Sequence, residues 1–271
     1  MINLDPQKVT DALQQVAAEL ILPRFRNLAA GEISSKSSPT DLVTIADREA
    51  EAALIPILTG LWPGSTVIGE EGVAENPALL QQLGPDGVFW IVDPVDGTWN
   101  FTQGNEQFGT MVALVVEGET VMSWIYPPLT GHCATAEKGS GAFWQGQRLV
   151  TRKEVRFEHA DADYSPKYMT DHWRDRLTAS IAKTGSKRRG RCSAYAYLDM
   201  LTGKIDLTLS GMIFPWDHAP GTLMVAEAGG HTAFLEDGES YRPIPHGKKP
   251  MLTVADKALW AVYAQALLRE V

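Results

Sequence analysis

The segment of this chain best equipped for chemistry is Asp93-Pro94-Val95-Asp96-Gly97-Thr98. It follows the apolar run Val88-Phe89-Trp90-Ile91-Val92, the pattern of a strand buried on both faces. Two carboxylates, Asp93 and Asp96, therefore emerge where a buried strand ends. Pro94 cannot donate to a sheet ladder and is expected to stop the strand. Gly97 permits close backbone approach, and Thr98 sets a hydroxyl beside free amides. Hard oxygen donors converging at one strand end suit Mg²⁺. Two such ions bridged by a carboxylate can activate water and stabilise the leaving oxygen of a phosphoryl transfer. The same residues would equally make a plain Asp-Pro-x-Asp-Gly turn. Glu70-Glu71 follows another short strand, where a solvated loop is the ordinary reading. Asp217, in Pro215-Trp216-Asp217-His218, reads as a helix N-cap whose carboxylate could still turn an oxygen to a metal. His218 is read as packed or solvated and is left out of the site.

Several elements must carry these residues. Asp5 and Pro6 read as an N-cap with proline in the first turn, followed by Val9, Leu13, Val16, Leu20 and Ile21 on one helical face. Residues 31–44 are small and polar, a loop or flexible hairpin. A second helix, with Ala46, Ala50, Ala53, Leu54 and Ile57 inward, should end near Gly60 and Pro63. Thr66–Ile68 reads as a strand, and Met111–Val116, Val121–Tyr126 and His132–Ala136 as successive antiparallel strands. Lys138–Ala142 is a tight turn. Composition shifts near residue 150, which divides an N-terminal half (1–150) from a C-terminal half (151–271) within one compact unit. The second half should hold helices at 171–183, 194–202, 217–228 and 256–269 and a strand at 205–209, with Gly229-Gly230 ending the third helix.

Composition narrows the function. The 271 residues are 44% hydrophobic and 21% charged, ordinary globular values that exclude a disordered or fibrous chain. Lys+Arg 24 against Asp+Glu 33 leaves a net charge of −9. That balance opposes a dedicated nucleic-acid binder, which needs positive charge to displace counterions from phosphates. It does suit a local acidic cluster that a metal neutralises. Cys133 and Cys192 form no disulfide framework or metal-ligand pattern and read as reduced thiols. The start of the chain has no secretory pattern, and no stretch approaches the ~18 apolar residues of a membrane span. A cytoplasmic protein without a membrane partner is expected.

Together, Gly69-Glu70-Glu71, Asp93–Thr98 and Trp216–Gly221 resemble the inositol monophosphatase family of Mg²⁺-dependent, lithium-sensitive phosphatases, whose superfamily includes fructose-1,6-bisphosphatase and 3′(2′),5′-bisphosphate nucleotidase. The likeness runs from the Lys36–Asp47 segment to Gly230. It implies a layered α/β (α+β) sandwich of sheets and helices, with a largely antiparallel sheet in the first half and the site between the halves. It implies two or three Mg²⁺ per site, held by Glu70, Asp93, the Val95 carbonyl, Asp96 and Asp217, with Asp93 bridging. Thr98, paired with Asp47, would help activate the attacking water, with Glu70 beside them. The amides of Gly97 and Thr98 would hold the substrate phosphate, with Asp96 and Asp217 nearby, and Lys36 would lie on a mobile loop near the metals. A homodimer and a small phosphorylated substrate, inositol monophosphate or a related sugar phosphate, are the family's habit.

The chain departs from the family on the substrate side. Arg191-Cys192-Ser193-Ala194 stands where a Gly-Ser/Thr-Ala-Ala run is usual, and Leu209-Ser210-Gly211 lacks the glutamate that bonds ring hydroxyls. An arginine at the pocket wall suits a second phosphate or a carboxylate, unless it pairs with Asp199. A bisphosphate nucleotidase or histidinol-phosphatase is thus an alternative. Lys187–Arg191 is the one basic cluster, readable as a solvated loop, a mouth for anionic substrates, or an RNA or protein contact. The last reading would make the chain a phosphatase-fold regulatory module.

Overall fold

A computed structural model describes residues 4–29, 31–36, 42–166, 169–188 and 190–269. Helix α1 (Pro6–Val16) starts as expected: the Asp5 carboxylate accepts from the Gln7 amide at 2.9 Å, and Pro6 opens the first turn. Strands β1 (Ile33–Ser35) and β2 (Leu42–Thr44) form a short antiparallel hairpin whose tip lies outside the described residues. Helix α2 (Ile45–Leu61) begins with a capping box between Thr44 and Asp47.

A seven-stranded sheet follows in sequence order: β3 (Thr66–Gly69), β4 (Val88–Asp96), β5 (Gly109–Val116), β6 (Glu119–Tyr126), β7 (Ala134–Glu137), β8 (Gly141–Trp144) and β9 (Gln147–Arg148). All its pairings are antiparallel except β3 with β4. Helices α3 (Glu70–Glu75) and α4 (Thr98–Thr102) are short pieces hung from the ends of β3 and β4. The second sheet has β10 (Asp161–Tyr164), β11 (Ser186–Arg188), β12 (Leu207–Ser210), β13 (His231–Phe234) and β14 (Met251–Val254), in the order β11-β10-β12-β14-β13. Helix α5 (Asp171–Ile181) and helix α8 (Trp260–Leu268) cover it, burying Leu177, Ile181, Tyr263 and Leu267.

Helices α6 (Ser193–Leu201) and α7 (Pro215–Ala228) decide how the halves meet. They belong in sequence to the second half, yet Tyr197, Leu198, Met224 and Val225 pack with Met111, Ile125 and Ala134 of the first sheet. The opposite face of that sheet buries Trp90, Val92 and Trp124 against Val9, Leu13, Ala50 and Leu54 of α1 and α2. The result is alternating layers of helices and sheets, each held by apolar burial worth roughly 25 cal/mol per Å². Among the described residues, no helix is long and apolar enough to cross a membrane.

Two local expectations are corrected. Pro94 does not stop β4, which continues to Asp96. Neighbour β3 ends at Gly69 opposite Val92, and the β5 register breaks between Asp93 and Asp96, so no ladder needs the missing Pro94 donor. Helix α7 starts two residues early, at Pro215 with Phe214 as its cap, so Asp217 lies inside the first turn and is not an N-cap.

Candidate active site

Three chain segments deliver acids to one cavity of about 480 Å³ between the layers, and a fourth, α2, stands behind Thr98 on its wall. Strand β3 hands over to Glu70 at the start of α3, and β4 carries Asp93, Val95 and Asp96. Helix α2 supplies Asp47 and α7 brings Asp217. Gly97 then turns the chain into α4 with φ of 85°, where a Cβ would stand 3.0 Å from the Gln107 carbonyl oxygen and 3.1 Å from the Cys192 Cβ. Only glycine fits that corner.

One carboxylate oxygen each from Asp93, Asp96 and Asp217 lie within 4.8 Å of one another. Glu70 lines the same cavity. Burial, then the charges of Glu70, Asp96 and Asp217, push the Asp93 carboxyl well above the ordinary range. Burial, then Asp96 and Glu70, do the same to Asp217. Asp96 is pushed up to about 6 by burial, against hydrogen bonds from Cys192, Ala194 and Ser193. Carboxylates this close cannot all stay ionised unless cations sit among them. The donor set, all oxygen and converging, fits a hard divalent cation.

Beside it, the Thr98 hydroxyl lies 3.0 Å from Asp47 Oδ1 and 3.0 Å from the Val95 carbonyl oxygen, and can donate to only one at a time. The Oδ2 of Asp47 accepts from the Thr44 amide at 2.8 Å and the Thr44 hydroxyl at 2.5 Å, which fixes the carboxyl plane. Burial raises Asp47 to about 6, opposed by those Thr44 bonds.

Glu71 is not the solvated neighbour expected: it is buried, and burial followed by the Glu70 charge raises it to about 8. Lys36 Nζ donates to Glu70 Oε1 at 2.8 Å and Glu71 Oε1 at 2.6 Å. Burial opposes the Lys36 charge, yet the two glutamates outweigh it and raise its pKa. The sequence reading missed Glu51, whose carboxylate accepts from the Glu71 and Gly72 amides at 2.9 and 2.6 Å and so sets the α3 turn. A signal existed. Asp47 and Glu51 interrupt the buried stripe of Ala46, Ala50, Leu54 and Leu58 on α2, and a buried acid needs a partner.

Cys192 and Arg191 lie on the opposite wall. Both cysteines are free, as expected, but Cys192 has a role: its Sγ donates to Asp96 Oδ2 at 2.9 Å, beside the Ala194 amide at 2.6 Å. Arg191 lines the cavity with its guanidinium carbon 3.9 Å from the centre of the Trp99 ring. Asp199 is occupied by Arg188 at 2.5 Å and Lys204 at 2.9 Å, so it is not the partner of Arg191. Of the basic run, Arg188 is drawn inward, and Arg189 lies outside the described residues. His218 is packed: Nδ1 lies 2.9 Å from the Tyr197 hydroxyl and Nε2 3.2 Å from the Met212 carbonyl, and burial lowers it to about 4.

The chain is similar to known proteins over most of its length. The profile described as "Inositol monophosphatase family" matches residues 5–263. The inositol-1-monophosphatase of Bacillus subtilis (strain 168) is 30% identical over 212 residues, 77% of this chain and 78% of that protein. The Nus factor SuhB of Escherichia coli (strain K12) is 30% identical over 234 residues, 83% of each chain. The crystal structure of the extragenic suppressor protein suhB from Bartonella henselae superposes with a TM-score of 0.83 at 26% identity, covering 98% of both chains.

Proposed function

Because this chain belongs to the inositol monophosphatase family, we propose that it is a Mg²⁺-dependent phosphomonoesterase acting on a small phosphorylated metabolite, inositol monophosphate or a related sugar phosphate. The observation that carries the reading is the meeting of Asp93, Asp96 and Asp217 within 4.8 Å, next to the Thr98–Asp47 pair.

Glu70, Asp93, the Val95 carbonyl, Asp96 and Asp217 would hold the ions. When bound, Mg²⁺ supplies charge neutralisation of the phosphoryl group and a lowered pKa for water. The chain's own residues do the rest. The Thr98 hydroxyl lies within reach of Asp47 Oδ1 at 3.0 Å, and the Val95 carbonyl, its other acceptor, is among the groups that would hold an ion, so Asp47 is the acceptor left for the Thr98 proton. The hydroxyl can then accept the proton of the attacking water while passing its own to Asp47, a general-base relay. The amides of Gly97 and Thr98 orient the phosphate for in-line attack. Glu71 and Lys36 keep Glu70 in place from behind. Asp96, anchored by Ala194 and Cys192, resists displacement as charge develops.

Phosphate release from inositol 1-phosphate, glycerol 2-phosphate, fructose 1,6-bisphosphate, histidinol phosphate and adenosine 3′,5′-bisphosphate, with Mg²⁺ and with EDTA, tests the reading. Turnover that needs Mg²⁺ and falls with Li⁺ supports it. Turnover unaffected by thorough chelation overturns it. Relatives named Nus factor SuhB give the charge-based expectation against a nucleic-acid partner no support. Absence of turnover on every substrate would favour the regulatory module.

A further inference from the structure

We propose that Arg191 is a specificity-determining residue that selects substrates carrying a second anionic group, a carboxylate or a second phosphate, beside the scissile phosphate. This rests on the phosphatase reading of the same cavity and deepens it.

The backbone around Arg191 is pinned on both sides. Before it, the Gly190 amide donates to Asp163 Oδ1 at 3.0 Å. Asp163 is buried, and a Cβ on Gly190 would stand 2.4 Å from its Oδ2. After Arg191, Cys192 and Ala194 both donate to Asp96, itself one of the three clustered carboxylates. The segment thus has little freedom to carry Arg191 away from the cavity.

The side chain is preset as well. Its guanidinium carbon lies 3.9 Å from the centre of the ring of Trp99, the residue that follows Thr98 in α4, so it sits next to the corner assigned to the scissile phosphate. A cation at that distance from a tryptophan ring is held favourably on its own. The contact is with the π-system and uses no acceptor oxygen, so the guanidinium N–H groups that make bidentate contacts with carboxylate or phosphate are not spent on it. Among the described residues no carboxylate lies within 4 Å of Arg191, and no hydrogen bond consumes those donors. The nearby acids are already matched: Asp163 and Asp199 hold Arg188 between them. Ser165, Ser210 and Gly211 line the same cavity and add small polar walls without further positive charge. In a protein of net charge −9, Arg191 is the cation positioned to meet the far end of a polyanionic substrate.

The test uses matched substrate pairs with the full-length protein and Mg²⁺. Glycerol 2-phosphate against 2-phosphoglycerate isolates a carboxylate, and fructose 1-phosphate against fructose 1,6-bisphosphate isolates a second phosphate. The wild type should prefer the anion-bearing member of at least one pair. Arg191→Ala should lower kcat/KM on that member about ten- to a hundredfold, mainly through KM, and leave its matched partner within about threefold. Arg191→Lys should restore only part of the preference, since an ammonium lacks the bidentate fork. Arg191 is exposed, so both variants should melt like the wild type. Equal hydrolysis of both members by the wild type, or an equal loss on both in Arg191→Ala, overturns this inference and leaves the phosphatase reading standing. No hydrolysis of any of the four substrates overturns this inference, and the phosphatase reading falls with it only if inositol 1-phosphate, assayed alongside, is also left intact.

Discussion

Replacing Asp93 with asparagine should stabilise the protein in EDTA and destabilise it, relative to the wild type, in Mg²⁺. The carboxylate oxygens of Asp93, Asp96 and Asp217 lie within 4.8 Å of one another. Two full charges at that distance repel by about 3 kcal/mol at an effective dielectric of about 20. Proton uptake by the raised carboxyls relieves part of this, leaving about 1–2 kcal/mol for the variant to release. The substitution keeps the shape of the side chain and an acceptor for the Val95 amide, which Asp93 Oδ1 now bonds at 3.1 Å. For a chain of this size, about 1–2 kcal/mol is roughly 2–8 °C in Tm. Mg²⁺ at a hundredfold its Kd should add about 2.7 kcal/mol to the wild type, and much less to a variant lacking one of the three clustered charges. The curves should therefore cross. Thermal melts of both proteins in EDTA and across a Mg²⁺ titration read this directly, with turnover lost in the variant. A lower Tm for Asp93→Asn in EDTA, or a full Mg²⁺ shift, would refute the claim that repulsion among these acids is what a cation relieves.

Thr98→Ala should cut kcat roughly 10²-fold or more with KM little changed, as loss of a general-base relay does, while Thr98→Ser should retain most activity. A rise in KM alone would make Thr98 a binding residue. Glu51→Gln presents an NH₂ to one of the amides of Glu71 and Gly72 and should cost about 1–3 kcal/mol. Its Mg²⁺ requirement for half-maximal turnover should rise, because Glu70 leaves its turn; an unchanged Mg²⁺ midpoint would show that Glu51 does not position Glu70.

What could be read from the sequence was what lies close together along it. Asp93 to Thr98 occupy one strand end, one turn and one helix start, so their types and spacing already describe their joint geometry. Helix starts such as Asp5-Pro6 were legible for the same local reason. The parallel pairing of β3 with β4 was not, since an apolar run reads alike in either direction. Nor were the supports. Glu51, Cys192 and Asp163 act on groups 20, 96 and 27 residues away, and no periodicity reports such distances. Pro94 misled because the rule against proline in a strand assumes partners on both sides, and here β3 has already ended.

The bond from Cys192 and Ala194 to Asp96 ties the acidic cluster to the docking of α6, and Asp217 arrives on α7. Neither the first sheet with its own helices nor the second sheet alone contains the ligand set. On the proposed reading, cation capture would therefore be coupled to the seating of α6 and α7 on the first sheet, a sub-global opening as well as the global one. Any partial opening that lifts α6 and α7 from the first sheet would scatter the three clustered carboxylates at once, and a nascent chain would lack the proposed metal site until residue 217 has been made and seated. An ion held there would act as a latch on the whole architecture: on the proposed reading, the cation that equips the cavity for chemistry would also hold α6 and α7 against the first sheet.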